Sequence, residues 1–354
     1  MSLPDVLIVG GGPVGLVTAI HAAQAGMKVQ LIEARTPSQD GLDKACGEGL
    51  MPMGVRHLES LGVSLEPSGT HPFTGILWQE GGHRAEATFP HGQGLGVRRL
   101  ALHRGLVARA TELGVELRFG LRAQALCPGG VFTEAGPLNA GLIVGADGLH
   151  SKLRKWAGLH RGVGPTKRFG LRRHVELAPW TDRVEVHLGP QAECYLTPVG
   201  PNEVGVAFLW SGFKANYHQL LARFPQVAQR VGQAPQRSRD MGSGPLEQRV
   251  SSPLNLEHRL ALVGDAAGYL DACTGEGLSL GFKQGQALVR LFGEGRLERY
   301  PAAHRRIVRL PFWMMRGLLL AGRVGLRGPM VGALERMPGL FGRVLAANDG
   351  VWRP

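Results

Sequence analysis

Asp5-Val6-Leu7-Ile8-Val9, then Gly10-Gly11-Gly12-Pro13-Val14-Gly15, then Leu16 to Gly26, then Lys28-Val29-Gln30-Leu31-Ile32-Glu33: this stretch decides the fold. The first run is apolar and β-branched, as a buried parallel strand is. Gly10, Gly12 and Gly15 follow at G-x-G-x-x-G spacing. Ala19, Ile20, Ala22 and Ala23 continue a short helix that Gly26 ends. The second strand finishes on an acid. Gly10 permits the tight turn, Gly12 lets a phosphate approach the backbone, and Gly15 lets helix and strand pack closely. Pro13 and Val14 open a helix whose free N–H groups and dipole face a pyrophosphate. Glu33 stands where a carboxylate accepts hydrogen bonds from a ribose diol. With 53 glycines in 354 residues, the glycine spacing alone is weak evidence. Strand, turn, helix, strand and terminal acid together predict dinucleotide binding, with FAD and NAD(P) both open.

A chain of this length buries a large core and predicts one large or two interleaved domains. The opening lacks a signal-peptide pattern, and no uncharged apolar run reaches the ~18 residues that a membrane span needs. The expected location is cytoplasmic. Cys46, Cys127, Cys194 and Cys273 lie far apart without a C-x-x-C pair, which argues against a metal site and a disulfide framework. The net charge of +12 comes mostly from arginine, 33 of the 40 basic residues. Nine arginines in the last 54 residues, against Glu335 and Asp349, put +7 of that excess in the tail. No nucleic-acid-binding motif accompanies it. An arginine-rich solvated surface and attraction to an anionic membrane face are the two readings.

Along the chain, Met53–Leu61 reads as a helix, and Phe73–Phe89, with Gly81-Gly82, as a β-hairpin. A helix follows Val97-Arg98-Arg99-Leu100 through Leu113. Val115–Phe119 and Ala123–Leu126 read as strands, and Leu142–Gly145 as a buried one. From Lys167 to about Val250 short alternating runs (Val184–Leu188, Glu193–Thr197, Val204–Trp210) predict a second, antiparallel sheet, interrupted by a helix over Tyr217–Val231. Leu260–Asp265 returns to the buried-parallel pattern and leads into a long helix to about Phe292. The fold class expected is α/β. A discontinuous Rossmann-like domain (1–72, 97–166 and 250–292) carries an inserted, mainly antiparallel substrate domain (73–96 and 167–249) and a helical tail (293–354).

Three ordered motifs resemble those of FAD-dependent oxidoreductases of the p-hydroxybenzoate hydroxylase and geranylgeranyl reductase superfamily. They are Gly10 to Gly15 with Glu33; Gly145-Ala146-Asp147-Gly148-Leu149-His150-Ser151-Lys152-Leu153-Arg154; and Gly264-Asp265-Ala266-Ala267 followed by Gly275-Glu276-Gly277-Leu278. The resemblance spans roughly residues 5 to 290 and implies FAD. It implies Asp265 on the ribityl hydroxyls, the Gly277 and Leu278 N–H groups near the pyrimidine oxygen of the ring, and Arg99 in contact with the flavin, with Arg98 as its substitute. It puts the backbone of Ala123 against the adenine. Asp147 reads equally as a residue linked to NAD(P)H and as a turn-capping acid.

Lys44-Ala45-Cys46-Gly47-Glu48-Gly49 resembles the K-x-C-G-x-G segment of geranylgeranyl reductases, which places Ala45, Cys46 and Gly47 beside the flavin. Cys46 reads as a catalytic thiol or as a small lining residue. Cys273 is expected to face the flavin too; Cys127 and Cys194 read as inert core. Two departures matter. Gly268 and Ala272 replace a histidine and a proline of the hydroxylases, and the reductases share that proline. Tyr195-Leu196-Thr197-Pro198 lacks the tryptophan of the reductase Y-x-W-x-F-P strand.

The missing tryptophan and proline tip the expectation toward a monooxygenase that uses NAD(P)H, as a transient reductant, and O₂ on a lipophilic, aromatic or polyketide substrate. An ene-reductase of isoprenoid chains and a non-catalytic FAD-binding protein are the alternatives. Leu310 to Leu345 reads as a pair of amphipathic helices with cationic faces, which cap the domains or touch the inner face of a membrane.

Overall fold

The computed structural model describes residues 3–37 and 42–348. The expected tail therefore runs past the described residues at its end. The opening segment folds as read. Val6–Val9, wholly buried, pairs in parallel with Val29–Glu33, and Pro13–Gln24 is the helix between them. Gly26 takes φ +77° just past the helix end, which a residue with a Cβ rarely adopts. Six strands form the sheet, in the order Leu254–Asn255, Leu260–Leu262, Leu142–Gly145, Val6–Val9, Val29–Glu33, Glu116–Phe119. All pairs are parallel except the first. The strand that arrives 118 residues after its neighbour, Leu260–Leu262 against Leu142–Gly145, pairs through Ile143 and Leu260.

Helices Pro13–Gln24, Arg99–Glu112 and Gly277–Gly293 bury one face of this sheet, around Ile8, Leu16, Leu106, Val144 and Phe282. Its other face is covered by Ala123–Cys127, Gly130–Thr133 and Gly136–Asn139, a three-stranded sheet, and by the short helix Lys152–Trp156. Two of those three strands were not anticipated, because glycine and proline interrupt their alternation.

The second sheet has seven strands, in the order Met241–Ser243, Arg168–Glu176, Glu203–Ser211, Ala192–Gly200, Arg183–Gly189, Gly75–Glu80, His83–Thr88. The hairpin read at 73–89 thus supplies its far edge, with Gly81 and Gly82 both at positive φ in a two-residue turn. Arg168–Glu176 was not singled out in the sequence. Its alternation is inverted: Arg168, Gly170, Arg172 and His174 point inward. The helix expected over Tyr217–Val231 is two, Tyr217–Leu221 and Pro225–Val231, because Pro225 cannot continue the first and starts the second. Both pack on the outer face of the sheet around Phe208 and Leu220.

The expected pair of tail helices is three: Tyr300–Arg323, Arg327–Arg336 and Pro338–Asn348. Pro338 opens the last one, the position where its missing N–H costs nothing. Val331, Leu334, Phe341 and Leu345 pack with Phe73, Ala85, Val184 and Val186 and so close one end of the seven-stranded sheet.

Candidate functional site

The two sheets and the tail enclose one continuous cavity of about 1160 Å³. Its polar end is built at the tips of the parallel strands, where an open α/β sheet binds ligands. Gly12, Pro13 and Val14 line it. Gly10 (φ +116°) makes the turn, and a Cβ on it would stand 2.3 Å from the Ala146 carbonyl oxygen. A Cβ on Gly15 would stand 2.0 Å from the Gly10 carbonyl oxygen, so only glycine lets this helix sit so close. At Gly12 the nearest atom to such a Cβ is an Arg99 guanidinium nitrogen at 3.6 Å: the backbone there faces the cavity. No side chain caps the helix, so its first N–H groups point at this space uncommitted. Glu33 ends its strand as expected and accepts hydrogen bonds from the Gly11 N–H (2.8 Å) and the Arg35 N–H (3.0 Å).

Arg35, Lys44 and Arg99 converge on this end. Burial lowers the pKa of the Lys44 ammonium, and Arg99 beside it lowers it further. Three cations around uncapped helix N–H groups form a cradle for a doubly charged pyrophosphate. Asp265 lies deeper, on the turn Gly264–Ala267. Burial pushes its carboxyl up, against the pull of Arg99, Lys44 and Arg154. Among the described residues no donor bonds this carboxylate, which leaves it to accept from ligand hydroxyls. Gly277 and Leu278 open the late helix at the cavity wall, again without a side-chain cap. The Arg99 Nε is likewise buried without a partner. These donors and acceptors fit FAD along its whole polar length.

The second motif is structural glue. Asp147 accepts the N–H groups of Lys152 (2.7 Å) and Leu153 (3.1 Å), and Ser151 caps the same short helix by accepting from the Arg154 N–H (2.9 Å). The capping role read for Asp147 is therefore present. Its other oxygen, Oδ1, is buried without a partner at the cavity wall. Arg154, fully buried, donates to the carbonyls of Leu149, Asp265 and Ala266 at 2.7–3.1 Å. It thus ties the second motif to the third.

The Lys44–Gly49 loop lies across the cavity, with Ala45, Cys46 and Gly47 at its surface. Burial pushes the Cys46 thiol up, with Arg99 opposing, so the sulfur keeps its proton. Glu48 holds this loop. It sits at φ +57°, accepts the Arg99 N–H (2.7 Å), and pairs with His174 Nε2. Burial alone would raise its carboxyl; His174, with Arg172 and Arg98, outweighs that and leaves it below its ordinary value. Arg172 adds a bond to Asp43 (2.6 Å) and to the Lys44 carbonyl (3.1 Å), and Ser238 Oγ meets His174 Nδ1 at 2.8 Å. The sequence reading did not single out Glu48, Arg172 or His174. For Arg172 and His174 the signal is inward-facing charge on an otherwise alternating strand; Glu48 lies in the loop and has no such signal.

The structure does not bring every expected residue to the cavity. Ala123 opens the first strand of the three-stranded sheet, paired with Thr133 and buried in the core, and does not line the cavity; nor does Glu33, whose carboxylate is held by the Gly11 and Arg35 N–H groups. Arg98 turns away to an ion pair with Glu203, so it does not stand in for Arg99. Cys273 does line the cavity, whereas Cys127 and Cys194 are buried outside it.

Beyond Cys46 the cavity turns apolar. Ile76, Val184, Val186 and Leu209 line it from the sheet, and Leu334 and Phe341 from the tail. Tyr195 and Thr197, two apart on one strand, face it together. Tyr195 donates to Glu193 (2.9 Å), which Arg168 (2.9 Å) and Arg327 (2.6 Å) also hold. Arg327 belongs to the tail, so this buried cluster pins the cap to the sheet.

A parallel sheet with uncapped helix N–H groups and cations at its strand tips, a buried lining carboxylate and a second sheet over the same cavity fits a flavin-dependent oxidoreductase. Residues 4–295 match the FAD binding domain family, and the chain belongs to it. It is 26% identical over 304 residues (77% of this chain, 73% of the relative) to digeranylgeranylglycerophospholipid reductase 2 of Methanopyrus kandleri. It is also 26% identical over 359 residues (87% and 84%) to 3-amino-4-hydroxybenzoate 2-monooxygenase PtmB3 of Streptomyces platensis. A flavoprotein/dehydrogenase from Cytophaga hutchinsonii shares the fold, with a TM-score of 0.83 at 18% identity over 99% of this chain and 94% of that one.

Proposed function

We propose that this FAD-dependent oxidoreductase reduces a carbon–carbon double bond in a lipophilic, isoprenoid-like substrate. One observation carries the reading: Cys46 lines the same cavity as the cationic cradle and the apolar wall, where burial pushes its thiol up. Reduced FAD, when bound, supplies hydride at its ring. Arg35, Lys44, Arg99 and the first helix hold the pyrophosphate, Asp265 the ribityl hydroxyls, and the Gly277 and Leu278 N–H groups the pyrimidine edge. The apolar wall orients the chain and excludes water. Cys46 Sγ–H gives the proton that, with the hydride, saturates the double bond; solvent returns a proton to the thiolate. The reductase named among the relatives supports the same reading.

Hydroxylation with NAD(P)H and O₂ is the second reading. It is favoured by Thr197 at the place of the reductase tryptophan and by the monooxygenase among the relatives. The test presents the reduced holoenzyme with a geranylgeranyl lipid without oxygen, and with an alkylated phenol in air. A gain of two hydrogens by mass in the first supports reduction; a gain of one oxygen in the second, with no reaction in the first, replaces it. Cys46→Ala should retain FAD and lose about a hundredfold in turnover, the usual scale for a positioned acid. Unchanged turnover leaves Cys46 a lining residue.

A further inference from the structure

Eleven large apolar side chains are exposed among the described residues, and seven of them lie between positions 310 and 340. Four belong to the helix Tyr300–Arg323 and its C-cap: Leu310 (50% exposed), Trp313 (67%), Leu320 (58%) and Val324 (57%). Their spacing is i, i+3, i+10, i+14, with Gly317 filling the gap at i+7. At 3.6 residues per turn this is one continuous stripe. Arg309, Arg316 and Arg323 recur every seven residues along one flank of that stripe, all exposed. Met314 and Leu318, which line the cavity, run along the other flank. One helix thus presents, side by side, a cationic row, a bare apolar row and a wall of the active cavity.

We propose that this face docks on an anionic lipid bilayer, and that substrate passes from the bilayer into the cavity beside Met314 and Leu318. Charge decides the occupant. Arg309 and Arg316 have no ion pair among the described residues, and no acidic side chain lies on the helix between Tyr300 and Arg323. A surface of bare apolar groups rimmed by arginines, of which, among the described residues, only Arg323 has a side-chain bond, to Thr166, matches a headgroup layer, where the apolar stripe sinks to the acyl boundary and arginine meets phosphate. No described helix is long and apolar enough to cross a membrane, so the contact is peripheral. The inference deepens the reading of a lipophilic substrate, but its test does not depend on turnover.

The experiment uses the FAD-loaded chain and vesicles of phosphatidylcholine, with and without about one third phosphatidylglycerol, in a sedimentation assay. The wild type should bind the anionic vesicles at least about tenfold more tightly, and added salt should reverse this. Arg309→Glu with Arg316→Glu should remove the anionic preference, since each basic residue near the surface contributes about fivefold. Trp313→Asp with Leu320→Asp should release the chain from both vesicle types. These side chains are exposed and outside the cavity, so flavin content and melting temperature should match the wild type. Binding that is absent, or equal for all three chains, overturns the proposal. So does a stable dimer of the wild type that the Trp313 and Leu320 changes dissociate, which would assign the stripe to a second copy of this chain. Vesicle binding without activity on any lipid would leave the docking intact and remove only the substrate reading.

Discussion

The two ends of the cavity are made in opposite ways. The cofactor end is assembled from turns and helix starts: backbone N–H groups set by glycine geometry, the Asp265 carboxylate, and the cations Arg35, Lys44 and Arg99 that converge on them. The substrate end is assembled from faces: alternate residues of a sheet and one side of three tail helices, with packing as the only requirement. The first kind of site tolerates little change, since a Cβ at Gly15 would meet a carbonyl at 2.0 Å. The second can be reshaped residue by residue without unmaking the protein. That explains how relatives at similar identity carry names as different as a lipid reductase and an aromatic monooxygenase.

The comparison breaks most severely at Glu48, the residue that joins the two ends. Glu48→Gln should destabilise the chain by about 3–5 kcal/mol at neutral pH, the scale for breaking a buried ion pair and leaving its partner, measured by denaturant unfolding. Its carboxyl is held below the ordinary value in the folded chain. Its contribution is therefore complete above the unfolded value of about 4.3 and is lost as pH falls through the lower folded value. The gap between wild type and variant should accordingly narrow below about pH 4. A constant gap across that range would show that the Glu48 charge does not hold the loop.

The cofactor end alone is tested by Asp265→Ala and Glu33→Ala. Each removes a carboxylate acceptor, and a hydrogen bond to a charged group is worth about 1.5–3 kcal/mol. FAD affinity should fall by roughly ten- to a hundredfold, read from the flavin retained per chain after gel filtration. The fold should persist in both, because neither side chain fills the core. Full flavin retention in both variants would remove these residues from the cofactor site.

How far the sequence was legible follows the same division. Gly10, Gly12, Gly15, Glu33 and Asp265 were readable because a turn fixes its residue types at fixed spacing, and the structure brings Gly12, Cys46, Arg99, Asp265 and Gly277 to one cavity from four distant segments. The substrate wall was not readable. Ile76, Leu209 and Phe341 look like any core residues, and only the fold shows that they line a cavity. The strand Arg168–Glu176 hid for a further reason: its buried face carries Arg172 and His174, which reach across to Glu48 and Asp43 instead of to apolar neighbours. A period-two reading tuned to apolar residues misses such a strand. The tail is half legible: its apolar spacing shows helices, but not the break before Pro338 that makes three of the expected two.

The smallest and most selective test is Thr197→Trp, which restores the aromatic residue of the reductase strand at a position that lines the cavity. Thr197 alternates with Tyr195 on the strand face toward the substrate, so the indole must enter the apolar end, far in chemistry from the pyrophosphate cradle. Flavin content should stay at the wild-type level. If the substrate is a slender isoprenoid chain, the indole narrows its channel and packs along it, so KM should change by no more than about fivefold, about 1 kcal/mol of contact. If the substrate is a broad aromatic ring, the lost volume should exclude it and raise KM by at least about tenfold. Measuring KM for a prenylated and for an aromatic substrate in this one variant therefore separates the two chemistries by shape. A fall in flavin content instead would mean that the two ends of the cavity are not independent.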